Sequence, residues 1–236
     1  MAEVEQRQSR WRSRVSLVDE VAEELRERIY AGDYPLGAKL RQEQLAEDLQ
    51  VSRTPLREAL RVLESEGLLH SEPGRGVRVV PADIGKVFAA YQLREMIDGL
   101  AARLAAESPD PGARSALLER LPVQRAALDP WSPGEYTREN VAFHLAVIAL
   151  ASNEYLTAQA PIIRMTSQVF TPVALVEPAH ASVAVAQHEQ ILAAITAGDG
   201  HAAEWLARAH IRSTVARITE QAGAGPPRRG DVDGKP

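Results

Sequence analysis

Arg53, Arg57 and Arg61 recur at intervals of four in SRTPLREALR, residues 52–61. On a helix this interval puts Arg57 and Arg61 on one face, with Arg53 just before the first turn, and leaves Leu56, Leu60 and Leu63 as the opposing apolar stripe. Such a cationic face suits the DNA major groove. Guanidinium groups fork onto guanine O6 and N7, the hydroxyls of Ser52 and Thr54 can donate to phosphate, and free N–H groups at the helix start attract the same anion. Arg75, between Gly74 and Gly76, is placed to reach the DNA backbone or the minor groove, and Arg41 stands just before another helical run. By spacing alone, three Arg on a helix equally describe a solvated face.

A second constellation lies further along. Of the six His, His144, His188 and His210 fall on predicted helices beside apolar residues. Asn140 precedes His144 by one helical turn and shares its face. Three imidazoles and an amide oxygen converging in a helical bundle can hold Zn²⁺, Ni²⁺ or Mn²⁺ and leave coordination positions open. The same pattern also describes hydrogen-bonded core histidines. Arg94 stands four residues before Asp98, the spacing of an intrahelical ion pair.

The elements that must position these residues divide near residue 81. Before it, Val18, Val21, Leu25 and Ile29 mark a first helix capped by Ser16. A second runs from Gln42 to Leu49, and a third from about Thr54 to Glu66, with Thr54 as cap and Pro55 at the first helical position. Two strands at 68–70 and 77–80, joined by the Gly-rich hairpin, complete the order of a winged helix-turn-helix. After residue 81 the chain reads as helices at 83–107, 112–128, 134–151, 153–174, 181–197 and 199–220, with prolines kinking or shortening the fourth. The expected fold is therefore mainly α: a flexible arm at 1–15, a winged helix-turn-helix at 16–80, an all-α bundle at 81–220 and a disordered Gly/Pro-rich tail at 221–236. With only 11 Phe, Trp and Tyr, the core must be built from Ala, Leu, Val and Ile. No Cys is present, which excludes disulfides, thiolate metal sites and a catalytic thiol. No apolar run approaches the roughly 20 residues of a membrane span, and the N-terminus has no signal-peptide core, so a cytoplasmic location is expected.

Residues 37–80, GAKLRQEQLAEDLQVSRTPLREALRVLESEGLLHSEPGRGVRVV, resemble the DNA-binding domain of the GntR family of bacterial transcription regulators, most specifically in the VSRTPLREAL run and the glycine-flanked wing. The resemblance implies that Ser52, Arg53, Thr54, Arg57, Gly74, Arg75 and Gly76 contact a short palindromic operator. Gln50 departs from it, standing where these proteins usually have Gly. YQLREMIDGLAARLAAE (91–107), ENVAFHLAVIALASNEYL (139–156) and QHEQILAAITAGD (187–199) resemble the FCD effector domain of the FadR-like subfamily. That likeness implies a divalent metal, Zn first and Ni or Mn as alternatives, on Asn140, His144, His188 and His210, beside an Arg, here Arg94, that receives a carboxylate effector. Asn140 replaces the usual Asp, so one anionic ligand is lost. Gln92, Glu95 and Asn153 are further candidates to contact the effector.

The expected function is a homodimeric, DNA-binding repressor released or modulated by a small organic acid. Two other classes fit the residues: a metal-dependent hydrolase, which lacks an HExxH motif, and a module whose Arg face binds an acidic protein. Charge weighs on the choice. The chain carries 27 Lys and Arg against 32 Asp and Glu, a formal −5, and residues 1–80 hold 13 basic against 15 acidic groups, or −2. The charge is segregated: residues 52–61 carry three Arg and one Glu, whereas residues 16–31 carry five acids and two Arg. Any affinity for a polyanion must come from placement.

Overall fold

The structure is a computed structural model and describes residues 2–72, 76–81, 83–171 and 176–221. It divides into two compact units, Met1–Ala82 and Asp83–Pro236. The expected tail lies almost wholly outside the described residues.

In the first unit, α1 (Ala2–Ala31) is followed by β1 (Lys39–Leu40), α2 (Gln42–Asp48), α3 (Arg53–Ser65), β2 (Leu69–Glu72) and β3 (Gly76–Val79). The helix expected to begin at Ser16 begins at Ala2 and runs through the segment read as an arm. The three strands form an antiparallel sheet in the order β1-β3-β2. Two-residue β1 gives no periodic signal of its own and exists because Lys39 and Leu40 pair with Arg78 and Val77. The apolar residues Val21, Leu25 and Ile29 of α1 are buried together with Leu45, Leu56, Leu60, Leu63, Leu68, Val77 and Val79. This core fixes which side of α3 remains outside. The N-cap position of α3 is Ser52, not Thr54. Pro55 therefore sits at the third helical position, still within the turn whose N–H groups have no helical acceptor.

The turn between α2 and α3 closes as a Schellman motif, with Gln50 N donating to Glu47 O at 3.1 Å and Val51 N to Ala46 O at 3.0 Å. Gln50 occupies the left-handed position at φ 54°. The end of α3 uses the same motif with Gly67 at φ 76°. A side chain with a Cβ is strained by about 1–2 kcal/mol in that conformation, partly offset by the lower backbone entropy of the unfolded non-glycine chain. Gln50→Gly is accordingly expected to stabilise the first unit by about 0.5–1 kcal/mol, read as a higher denaturant midpoint at unchanged slope.

The second unit is helical: α4 (Ile84–Glu107), α5 (Pro111–Ala126), α6 (Pro133–Leu150), α7 (Glu154–Thr157), α8 (Ala160–Arg164), a π-helical turn at Met165–Val169, α9 (Pro178–Ala197) and α10 (Gly200–Gln221). The long helix expected at 153–174 is thus three short pieces. Asn153 caps α7, accepting from Tyr155 N at 3.0 Å and Leu156 N at 3.3 Å. Gln159 leaves the helical region, and Pro161 restarts the chain where its missing N–H costs nothing. Small residues let α4 sit close to its neighbours. Ala101, Ala102, Ala105 and Ala106 are buried, and a Cβ on Gly99 would lie 2.6 Å from Cγ of Arg208 on α10. Phe143, Leu150, Ile163 and Ile195 fill the centre. No helix among the described residues is long and apolar enough to cross a membrane.

Candidate functional site

Two places gather the residues singled out above, one in each unit. In the first, Leu56, Leu60 and Leu63 are buried and Arg53, Arg57 and Arg61 are exposed on the other side of α3. Ser52 takes extended backbone ahead of the helix, and its hydroxyl makes no cap hydrogen bond, so both it and the first N–H groups remain available to an anion. Thr54 is exposed in the same turn. Arg53 Nη2 lies 3.0 Å from Glu43 Oε1, and Arg57 Nε donates to Gln42 Oε1 at 3.4 Å. These contacts join exposed groups and are worth little in water. Exposed Arg41 occupies the N-cap position of α2. Gly76 opens β3 at φ 91°; Gly74 and Arg75 lie outside the described residues. Arg78 is structural, donating to Gly37 O at 3.1 Å.

In the second unit, α6 supplies His144, α9 His188 and α10 His210, and one ring nitrogen from each lies within 4.8 Å of the others. All three are buried. Every Nδ1 faces an acceptor: Asp98 Oδ1 at 2.5 Å from His144, Gln124 Oε1 at 2.9 Å from His188 and Gln187 Oε1 at 2.8 Å from His210. An imidazole that donates through Nδ1 keeps its lone pair on Nε2. With both Nδ1 atoms protonated, Nε2 of His188 and Nε2 of His210, 3.2 Å apart, would present two lone pairs to each other, and Nε2 of His144 is buried with no hydrogen-bond partner among the described residues. Three converging lone pairs repel one another and are satisfied together by a cation. The residues fit a divalent metal, with the outer partners already in place. Phe143 stacks on His188 at 4.1 Å between centroids, closing one side.

Burial pushes His188 and His210 well below the ordinary imidazole value, and the neighbouring imidazole and Arg94 charges push the same way. His144 is also lowered, by burial against the opposing pull of Asp98. All three are neutral near pH 7 and able to ligate. Burial would raise the carboxyl of Asp98, but His144 and Arg94 outweigh it and hold Asp98 at about 2. The folded value lies below the unfolded one, so its stabilisation is present above the ordinary 3.8 and lost as pH falls toward 2.

Arg94 is buried and engaged through Nε and Nη1. It pairs with Asp98 at 3.3 Å and donates from Nη1 to Thr166 Oγ1 at 2.8 Å and Ser167 Oγ at 2.7 Å, both in the π-helical turn. Arg94→Ala leaves the Asp98 charge without its guanidinium. We expect a loss of about 3–5 kcal/mol of stability, as for other broken buried pairs, with partial recovery in Arg94→Ala/Asp98→Asn, measured by urea unfolding.

A cavity of about 60 Å³ adjoins the imidazoles, its walls including Tyr91, Arg94, Asn140, His144, His210 and Arg217. Arg217 was not among the residues singled out by sequence. It follows His210 by two helical turns, which is the signal that could have found it. Among the described residues it has no carboxylate partner and makes only 3.4 Å contacts to His180 O and Thr214 Oγ1. Gln124 and Gln187 were also missed. Gln124 continues the core stripe of Leu117 and Leu121 and is wholly buried, an amide where α5 should carry an apolar side chain. Asn140 lines the cavity, its Oδ1 accepting from Gln124 Nε2 at 3.5 Å. Two candidates are engaged elsewhere and a third is exposed: Asn153 is a cap, Glu95 pairs with Arg208 at 3.1 Å and Arg212 at 2.7 Å, and Gln92 lies exposed on α4.

Two family models match the chain: "Bacterial regulatory proteins, gntR family" over residues 17–79 and "FCD domain" over residues 89–213. The chain is 28% identical over 134 residues to the uncharacterized HTH-type transcriptional regulator YdhC of Bacillus subtilis, covering 56% of this chain and 60% of that protein. It thus spans about three fifths of this relative's length. It is 27% identical over 200 residues to a probable D-xylose utilization operon transcriptional repressor of Paenarthrobacter nicotinovorans, covering 84% of this chain and 87% of that one. E. coli McbR/YncC shares the fold, with a TM-score of 0.76, 24% identity, and coverage of 87% of this chain and 98% of that one.

Proposed function

As this chain belongs to the GntR family of bacterial regulatory proteins and carries an FCD domain, we propose that it is a DNA-binding transcription repressor, dimeric on a palindromic operator and released by a small carboxylate. The observation that carries the DNA half is α3: three exposed Arg on one side, an uncommitted Ser52 hydroxyl at its start and a Leu stripe holding the other side in the core. Arg53 and Arg57 read base edges or phosphate, Ser52 and Thr54 fix register on the backbone, and Arg41 adds a phosphate contact. By the family resemblance, Gly74, Arg75 and Gly76 are expected to add contacts to the operator.

The effector half rests on the three imidazoles. His144, His188 and His210 would hold the metal through Nε2, and three neutral nitrogens with an open position favour Zn²⁺, with Ni²⁺ or Mn²⁺ next. A bound ion supplies an electrophilic centre for a carboxylate oxygen. Arg217, at the cavity wall with no carboxylate within salt-bridge distance among the described residues, attracts the acid and forks onto it. The cavity of about 60 Å³ has room for the head of a small acid rather than a whole sugar. An acid that took hydrogen bonds from Arg94 would compete with Thr166 and Ser167 and so favour a second state of the π-helical turn, the differential contact that a population shift requires.

A second copy of the chain fits the outer face of α4, where Leu93, Met96 and Leu100 are exposed at three- and four-residue intervals. Lys86 and Glu107 stand at opposite ends of this stripe, so an antiparallel pair of α4 helices sets unlike charges against each other. The hydrolase reading is weakened because the two acids that neighbour its candidate ligands in sequence are engaged elsewhere. Glu139 lies 3.7 Å from Arg120 and 3.8 Å from Arg138, and Glu189 pairs with Arg125.

A thermal-shift panel of small mono- and dicarboxylates with added Zn²⁺ tests the effector half. At about a hundredfold excess over its Kd, the effector raises stability by about 2.7 kcal/mol and weakens operator binding, and Arg217→Gln loses most of both effects. A panel in which no acid stabilises the protein, with or without metal, would overturn the effector assignment.

A further inference from the structure

We propose that Asn140 serves the ligand and not the metal: Gln124 takes its side-chain oxygen, so metal and acid bind this pocket as an interdependent pair. The inference rests on the three-imidazole metal reading above. One chain of donors and acceptors runs from His188 through Gln124 to Asn140. For His188 to offer Nε2, its Nδ1 must carry the proton, so the atom of Gln124 at 2.9 Å must be the oxygen. Gln124 is wholly buried, so its NH₂ needs an acceptor. That acceptor is Oδ1 of Asn140, 3.5 Å away.

The two terminal atoms of an amide diverge by roughly 120°. With Oδ1 turned to Gln124, the group that Asn140 has left for the cavity it lines is the NH₂. An amide nitrogen has no lone pair for a metal. An Asp at the same position would accept from Gln124 with one oxygen and offer a second, anionic oxygen to the ion. A single atom therefore separates an all-protein metal site from one with three neutral ligands.

The nearby buried carboxylate does not replace the lost one. Asp98 is held by His144 Nδ1 and by Arg94. An ion on the imidazoles keeps its full double charge, and the oxygen ligand it lacks must come from the bound molecule. The ligand class is a small carboxylate, with one oxygen toward the ion and another accepting from the NH₂ of Asn140 or from Arg217. By linkage, whatever factor the acid adds to metal affinity, the metal adds to acid affinity.

The test uses full-length protein stripped with chelator and titrated calorimetrically with Zn²⁺, in a non-coordinating buffer, with and without saturating glycolate or acetate. At least one of these acids is expected to tighten Zn²⁺ binding tenfold or more. Asn140→Asp is expected to bind Zn²⁺ at least tenfold tighter without acid and to lose most of the enhancement. Zn²⁺ binding to the wild type with one affinity whether or not acid is present would overturn the proposal and leave the metal reading standing. No Zn²⁺ binding under any condition would overturn both. The wild-type comparison stands by itself if Asn140→Asp folds poorly.

Discussion

At a thousandfold excess over its Kd, Zn²⁺ at the proposed site is expected to stabilise the protein by about 4 kcal/mol, which for a chain of this length raises the unfolding midpoint by roughly 8–16 °C. The comparison is between chelator-stripped and metal-loaded protein in a saturating carboxylate, followed by circular dichroism. His188→Ala and His210→Ala abolish the increment. His188→Ala also costs stability without metal, because it removes the Phe143 stack and orphans the buried Gln124 oxygen. The diagnostic quantity is therefore the metal-dependent difference within each variant. The stripped protein carries a pH signature as well. The folded state holds His188 and His210 well below 6.5, so as pH falls below that value the unfolded chain takes up protons that the buried imidazoles refuse, and stability drops. Metal-loaded protein resists that drop until protons displace the ion. An increment that survived His188→Ala would remove the cluster from consideration as the metal site.

Under the proposed reading, Arg57→Ala is expected to weaken operator binding by about 2–6 kcal/mol per dimer, roughly 30-fold to about 10⁴-fold, because two half-sites would each lose a contact worth about 1–3 kcal/mol. The operator is first selected from randomised duplexes, and affinity is measured by fluorescence anisotropy against competitor DNA at physiological salt. Binding to random DNA falls less, which separates base reading from charge loss. Arg61→Ala, further along the helix, acts mainly through phosphate and lowers the salt slope by about one counterion per contact. With a formal charge of −5, the protein has little general attraction for a polyanion. Specific binding should therefore depend strongly on both recognition helices docking together. Full operator affinity and specificity in Arg57→Ala would overturn the DNA-reading assignment.

Much of the architecture is visible in local pattern. The Leu56-Leu60-Leu63 stripe predicts which side of α3 is buried, because a helical period needs no knowledge of its partner. Local pattern misleads where two signals compete. Thr54-Pro55 looks like a helix start, yet Ser52 holds the N-cap position, since Pro is tolerated throughout the first turn. The prolines between 153 and 174 suggest a kinked helix, whereas Asn153 capping and the π-helical turn divide it. β1 is invisible for a different reason: a two-residue strand has no period.

The sequence by itself determined the order of elements, the cationic face of α3 and the identity of the three imidazoles, because caps, periods and residue types act over a few positions. Only the tertiary structure decided which atom of each side chain is free. Arg94 is paired with Asp98 and tied to residues 72 and 73 positions away, Arg217 has no carboxylate partner among the described residues, and Gln124 links His188, 64 positions away, to Asn140. Hydrogen-bond direction in a buried site follows from counting donors and acceptors across α4, α5, α6, α9 and α10, and that count exists only once the helices are packed.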